Sequence, residues 1–155
     1  MDAKSKLSYF LKKREDQVKE FEAPESFKDE KGNPIMIKVR VLSQEEMDKI
    51  YENYSTKHIA REGKKKTPLV QNGMIVEKQV KDYGRAMRHL IAEAIIEPNF
   101  KSQECMEYFE CYEISEIIYK VFPTPDEYNY VVNSVLEILG LSGDADDDEV
   151  KSAKN

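Results

Sequence analysis

The stretch "DEKGNPIMIKVRVLSQEEMDKIYENY", residues 29–54, carries three structural signals in immediate succession. Gly32 and Asn33 supply the backbone freedom for a tight reversal ahead of Pro34. Ile35, Ile37, Val39 and Val41 then alternate with Met36, Lys38 and Arg40, the period of two expected of a strand with one buried face. Ser43 and Glu46 follow in the S-x-x-E spacing of a capping box, in which hydroxyl and carboxylate satisfy orphan amides at a helix start. Met47, Ile50, Tyr51 and Tyr54 fall at i, i+3, i+4 and i+7, so the helix has one apolar stripe. A strand and a helix in this order close on a shared core. No residue typical of catalysis interrupts them, and the stretch reads as scaffold.

Working outward, the apolar residues between Val18 and Phe27 are broken by Pro24, which suits an irregular or edge strand because proline cannot donate to a ladder. With residues 35–41 it makes a β-hairpin between about residues 17 and 42, whose outer edge is open to another strand. Leu7, Phe10 and Leu11 fit a short amphipathic helix or a docking arm. Residues 60–78 mix Gly63, Pro68, three lysines and Asn72-Gly73, and read as a long loop with a small hairpin around Asn72. From Val80 through Met87, Leu90 and Ile91 to Ile95 the spacing is helical, and Pro98 stops it. Ser102 caps a short helix running to about Phe109, and Ile114, Ile117, Ile118 and Val121 mark another. The last helix has Thr124 as cap, Pro125 at its first position, Glu127 to complete a box and Gly140 as stop. The expected fold class is α+β, mainly helical, with the N-terminal β-hairpin packed on a helical bundle. One domain spans 1–141. The acidic tail, 142–155, has too little apolar content to fold and is expected to be disordered.

A chain of 155 residues can bury roughly 68–70% of its unfolded surface and needs no disulfide staple. The two cysteines, Cys105 and Cys111, lie six apart in a segment read as helical, roughly 120° apart around the axis, which does not suit a short disulfide. No 18-residue apolar run and no apolar leader is present, so the reading is a cytoplasmic protein without a membrane segment. Net charge is −6, and the last fourteen residues, with five acids against two lysines, supply −3 of it. An acidic chain lacks the basic footprint that nucleic-acid binding requires.

Sites for chemistry are not supported. His58 and His89 lack zinc-ligand spacing, and the cysteines lack C-x-x-C, so no metal, cofactor or catalytic residue is assigned. The tail sequence beginning at Asp144 opens like an EF-hand loop but has Glu149 where glycine is required and Asn155 where the bidentate glutamate belongs. "GKKKT" at Gly63 ends like a phosphate-binding loop, yet His58 stands where the first glycine is needed. What stands out is the last helix. Tyr128, Val132, Val135 and Leu139 centre an apolar arc that Val131, Leu136 and Ile138 widen to about 160°. A one-sided surface helix needs little more than about 100°. Either this helix is buried on two sides, or one shoulder, Val131 and Ile138, is a partner-binding site.

Four segments in order, "LSYFLK", "FKDEKGNPIMIKVRVLSQEEMDKI", a helix ending in "EPNF", and "FPTPDEYNYVVNSVLEILGL", resemble the XkdN-like tail assembly chaperones of PBSX-type prophages and related tailed phages. The resemblance covers about residues 5–141. Each motif is turn or capping chemistry, and their order and spacing carry the likeness. It implies a non-enzymatic factor that binds the long, apolar tape measure protein and keeps it soluble before the tail tube polymerises around it. Such a factor is absent from the mature virion. The tail tube protein and a second copy of the chain are further partners compatible with that role. The alternative is a general protein-interaction adaptor of a phage or prophage.

Overall fold

The computed structural model describes residues 5–141. After a single 3₁₀ turn, Lys6–Tyr9, come β1 (Val18–Glu22), β2 (Met36–Arg40) and α1 (Gln44–Glu52). Six short strands follow: β3 (Ser55–Ile59), β4 (Arg61–Glu62), β5 (Thr67–Pro68), β6 (Val70–Gln71), β7 (Met74–Ile75) and β8 (Glu77–Lys81). The chain then runs through α2 (Tyr83–Ala94), β9 (Ile95–Glu97), α3 (Gln103–Tyr108), α4 (Ile114–Val121) and α5 (Pro125–Ile138). The architecture is mixed α+β. β9 and the six strands of the connection add strand to the expected hairpin, although the helices still hold more residues.

β2 is the centre of a three-stranded antiparallel sheet in the order β1-β2-β9. Ile37 faces Phe21 across β1, and Val39 faces Ile95 across β9. The alternation read from the sequence is the observed one: Ile37 and Val39 are buried, while Met36 and Lys38 face water. Asp29 accepts from the amides of Lys31 and Asn33 and so closes the reversal at Gly32, whose φ is +82°. Between that turn and β1 the chain is irregular around buried Pro24, as a residue without an N–H demands.

The strand-to-helix unit is tied at its joint. Ser43 Oγ accepts from the Glu46 amide at 3.2 Å, and the Glu46 carboxylate accepts from the Ser43 amide at 3.3 Å. The same carboxylate binds Arg40, the last residue of β2, at 2.6 and 3.1 Å. That bidentate pair holds the Glu46 carboxyl down at about 2. One carboxylate thus fixes the angle between strand and helix.

α2 is the hub, packed against α1, α4, α5 and β9. In its second half Leu90, Ile91, Ala92 and Ala94 are all fully buried, so this turn of helix has no water-facing apolar side. Burying each Leu- or Ile-sized side chain contributes about 1.5–3 kcal/mol. Arg88 joins α2 to α4: its Nε donates to the Ser115 carbonyl at 3.0 Å, and its guanidinium lies 4.3 Å from the Tyr119 ring centre.

Two boundaries differ from the sequence reading. Helix α2 starts later, with Asp82 as cap accepting from the Arg85 amide, and Val80 belongs to β8. It also ends earlier, because Ile95 turns extended (φ −74°, ψ 112°) and pairs with Val39. At α5, Pro125 and Gly140 stand as expected, with the Leu141 amide closing on the Leu136 carbonyl at 2.9 Å. The second capping box does not form: the Thr124 hydroxyl makes no cap bond, and Glu127 accepts from Ser26 Oγ at 2.9 Å instead. Glu127 thereby ties α5 to the β1–β2 connection. The acidic tail, 142–155, lies outside the described residues.

Candidate partner-binding surface

The residues with chemical potential stand apart. His58 is exposed on β3, with Thr56 Oγ1 2.8 Å from its Nε2. His89 is half-buried in α2, its Nδ1 2.6 Å from the Tyr54 hydroxyl, and burial lowers its pKa below the ordinary 6.5. Cys111 lies beyond the end of α3 rather than within a helix, because Glu110 takes a left-handed φ of 52°. Its thiol donates to the Glu113 carbonyl at 3.1 Å. Burial pushes the Cys105 thiol up, which favours the unreactive protonated form. Both cysteines are free. Among the described residues, no cluster of three or more His, Cys, Asp or Glu side chains is placed to hold a metal ion, and no helix is long and apolar enough to cross a membrane.

The shoulder of α5 turns inward at Val131. Val131 is fully buried, and Ile138 is half-buried against the core. The wide apolar arc is divided between two neighbours. On one side Tyr130 stacks edge-on against Phe21, with its hydroxyl donating to the Glu22 carbonyl at 2.7 Å. On the other Tyr128 packs against Tyr119 of α4, with ring centres 4.9 Å apart. The helix is therefore buried on two sides. The edge along residues 35–41 is taken as well, since β2 has a strand on each flank.

Exposed apolar side chains gather instead in the connection between α1 and α2. β3 and β8 pair antiparallel over five residues, from Ser55 opposite Lys81 to Ile59 opposite Glu77. The ladder then divides into two hairpins, β4 with β5 and β6 with β7, the second turning at Asn72-Gly73 as the sequence indicates. At the division three backbone bonds form a closed triangle. The Ala60 amide donates to Val76 O at 2.8 Å, Val76 to Leu69 O at 2.8 Å, and Leu69 to Ala60 O at 2.7 Å. Those three residues are the half-buried ones of the branch; the hairpins around them are exposed. Val70, Met74 and Ile75 are 55%, 72% and 54% exposed, and Ile59 and Val80 also face water.

A two-stranded ribbon cannot build a core of its own, and free hairpins are marginal in water. This one nevertheless displays apolar residues on a branch that packs on itself. At its root, Tyr54, Thr56, His58, Val80, Tyr83 and Arg85 line an open cavity of about 440 Å³. A second exposed apolar group lies near the N-terminus, where Leu7, Phe10 and Leu11 are all exposed around the 3₁₀ turn. The expected amphipathic helix is reduced there to that one turn, because nothing among the described residues covers its apolar side.

The fold matches that of a known structure. The crystal structure of the protein yqbn superimposes with a TM-score of 0.63, over 90% of this chain and all of that one, at 19% identity. In sequence, the chain is 27% identical to the phage-like element PBSX protein XkdN of Bacillus subtilis (strain 168), over 96% of this chain and 93% of that protein. The family model of the phage XkdN-like tail assembly chaperone protein, TAC, matches residues 7–154, from the exposed N-terminal turn through the ribbon and α5 into the acidic tail. That match takes in nearly every element described above, and the chain belongs to the XkdN-like phage tail assembly chaperone family.

Proposed function

We propose that the protein is a non-enzymatic tail assembly chaperone that binds the tape measure protein and keeps it soluble in the cytoplasm of the bacterial host. It acts before the tail tube forms and is not retained in the mature virion. Family membership supports the assembly role. The observation that carries the binding role is the ribbon: Val70, Met74 and Ile75 lie exposed on an element with no core of its own. A long apolar client exposes side chains that would otherwise self-associate, and a chaperone must offer an apolar surface while its charged remainder stays hydrated. The ribbon and the N-terminal turn are the surfaces fitted to that work.

The test is capture of purified tape measure segments on the immobilised chain, with Val70→Asp/Ile75→Asp as the comparison. Both residues are exposed, so the variant keeps its fold and circular dichroism. A charge placed in an apolar contact has to be desolvated, and binding falls. Capture of unrelated apolar helices as strongly as the tape measure segment points to the general adaptor. Undiminished capture by the folded variant removes the ribbon from the client surface.

A further inference from the structure

The ribbon is basic in an acidic protein. Residues 55–81 hold seven basic residues against two acidic ones, a local +5, in a chain whose net charge is −6, so the rest totals −11. Lys64, Lys65 and Lys66 form the tip of the β4–β5 hairpin and are all exposed. The opposite charge is concentrated too. Residues 103–116 contain five glutamates and no lysine or arginine, and every one of those glutamates is exposed. The same stretch carries the chain's most exposed large aromatics among the described residues, Tyr108 at 79% and Tyr112 at 94%. Each surface has what the other lacks: cations and aliphatic side chains on the ribbon, carboxylates and aromatic faces on the α3–α4 stretch.

Their placement decides which copy meets which. Glu113 is bound by Arg85 in the first turn of α2, just beyond the root of the ribbon at Lys81. One end of the acidic stretch therefore lies beside that root. The ribbon does not lie across the acidic stretch along β4 to β8, since those strands stay exposed along their length. Two complementary surfaces that meet at the root of the ribbon close most simply around a two-fold axis, where each contact is made twice.

We propose that the ribbon of one copy docks on the acidic, tyrosine-bearing surface of residues 103–116 of a second copy, reciprocally, so that the free protein is a two-fold dimer. Lysines of the hairpin tip meet Glu104, Glu107 and Glu110. Val70, Met74 and Ile75 are covered by the tyrosine rings, which offer large apolar area at low conformational cost. A client that uses the same ribbon competes with the second copy for it. That competition rests on the proposed client surface; the dimer does not.

The experiment is sedimentation of the full chain at low salt, reading whether the mass is one or two times 18.0 kDa. The wild type is expected to dimerise and to weaken as salt screens the contact. Lys64→Glu/Lys65→Glu/Lys66→Glu weakens the dimer about tenfold or more, since like charges then face each other. Glu104→Lys/Glu107→Lys/Glu110→Lys does the same. All six positions are exposed, and circular dichroism confirms that the variants are folded. Mixing the two variants restores a dimer, because each reversed ribbon then meets a reversed face and each native ribbon a native face. A wild type that stays monomeric overturns the proposal. So does a dimer indifferent to either reversal, or a mixture of the two variants that stays monomeric.

Discussion

Replacing residues 56–80 with Asn-Gly, so that Ser55 and Lys81 are joined by a two-residue turn, should leave the rest of the protein as stable as before or more so. Ser55 and Lys81 are already paired across the ladder, and the Asp82 amide donates to the Tyr54 carbonyl at 2.9 Å just below it. A short hairpin turn therefore fits the existing separation. None of the described side chains among the excised residues is fully buried, so the core loses nothing from their removal. An isolated ribbon contributes a folding free energy near zero. Shortening the connection from twenty-five residues to two removes between three and four doublings of length. At about 0.6 kcal/mol each, that is an entropic gain of up to about 2 kcal/mol. Urea denaturation followed by far-ultraviolet circular dichroism measures it. The midpoint should hold or rise while the slope falls slightly with the smaller chain. A loss of more than about 2 kcal/mol would falsify the reasoning, because the ribbon would then be part of what holds α1 to α2.

Three further outcomes follow from the interior. Val131→Asp places a carboxylate at a fully buried site without a partner, at a cost of several kcal/mol against a total stability of about 5–15, and its circular dichroism should show gross unfolding or a large drop in melting temperature. Ser43→Ala removes the cap bond at 3.2 Å and should cost about 0.5–2 kcal/mol in urea titration; no change would mean that Glu46 and Arg40 hold the helix start alone. Stability should fall on acidification in two windows. Below the ordinary 6.5 of histidine, His89 favours the neutral form in the fold, so protonation favours unfolding, and His89→Gln should flatten that limb. Between the ordinary 4.5 and about 2, protonating Glu46 breaks its pair with Arg40, a partly exposed contact worth about 0.5–1 kcal/mol; Glu46→Gln should remove that window.

The parts of the fold legible in the sequence are those decided locally. The alternation from Ile35 to Val41 and the Ser43–Glu46 box need only neighbours along the chain, and both stand in the structure. Ile95 continues the helical spacing of α2, but its place opposite Val39 in the sheet wins, and no local pattern records a partner fifty-six residues away. The ribbon was hidden for a related reason. Its middle strands are two residues long among Gly63, Pro68 and Gly73, and the triangle joining Ala60, Leu69 and Val76 is invisible to any short window. Asn72-Gly73 was its single local signal.

The candidate site shows the same limit. The spacing of α5 measured the width of its apolar arc correctly but could not say what lay on either side, and Val131 proved to be interior. The pointer that sequence did offer was compositional. Three consecutive lysines beside exposed aliphatic residues mark a segment that is neither core nor ordinary surface.

The central claim, that the ribbon is where a tail client is held, is tested most directly by co-expressing a tape measure fragment with the intact chain or with the chain lacking residues 56–80. The readout is the fraction of the fragment recovered in the soluble lysate, with the shortened chain verified as folded and expressed at the same level. A soluble fragment is expected with the intact chain and a precipitated one with the shortened chain. Equal solubility with both would contradict that claim.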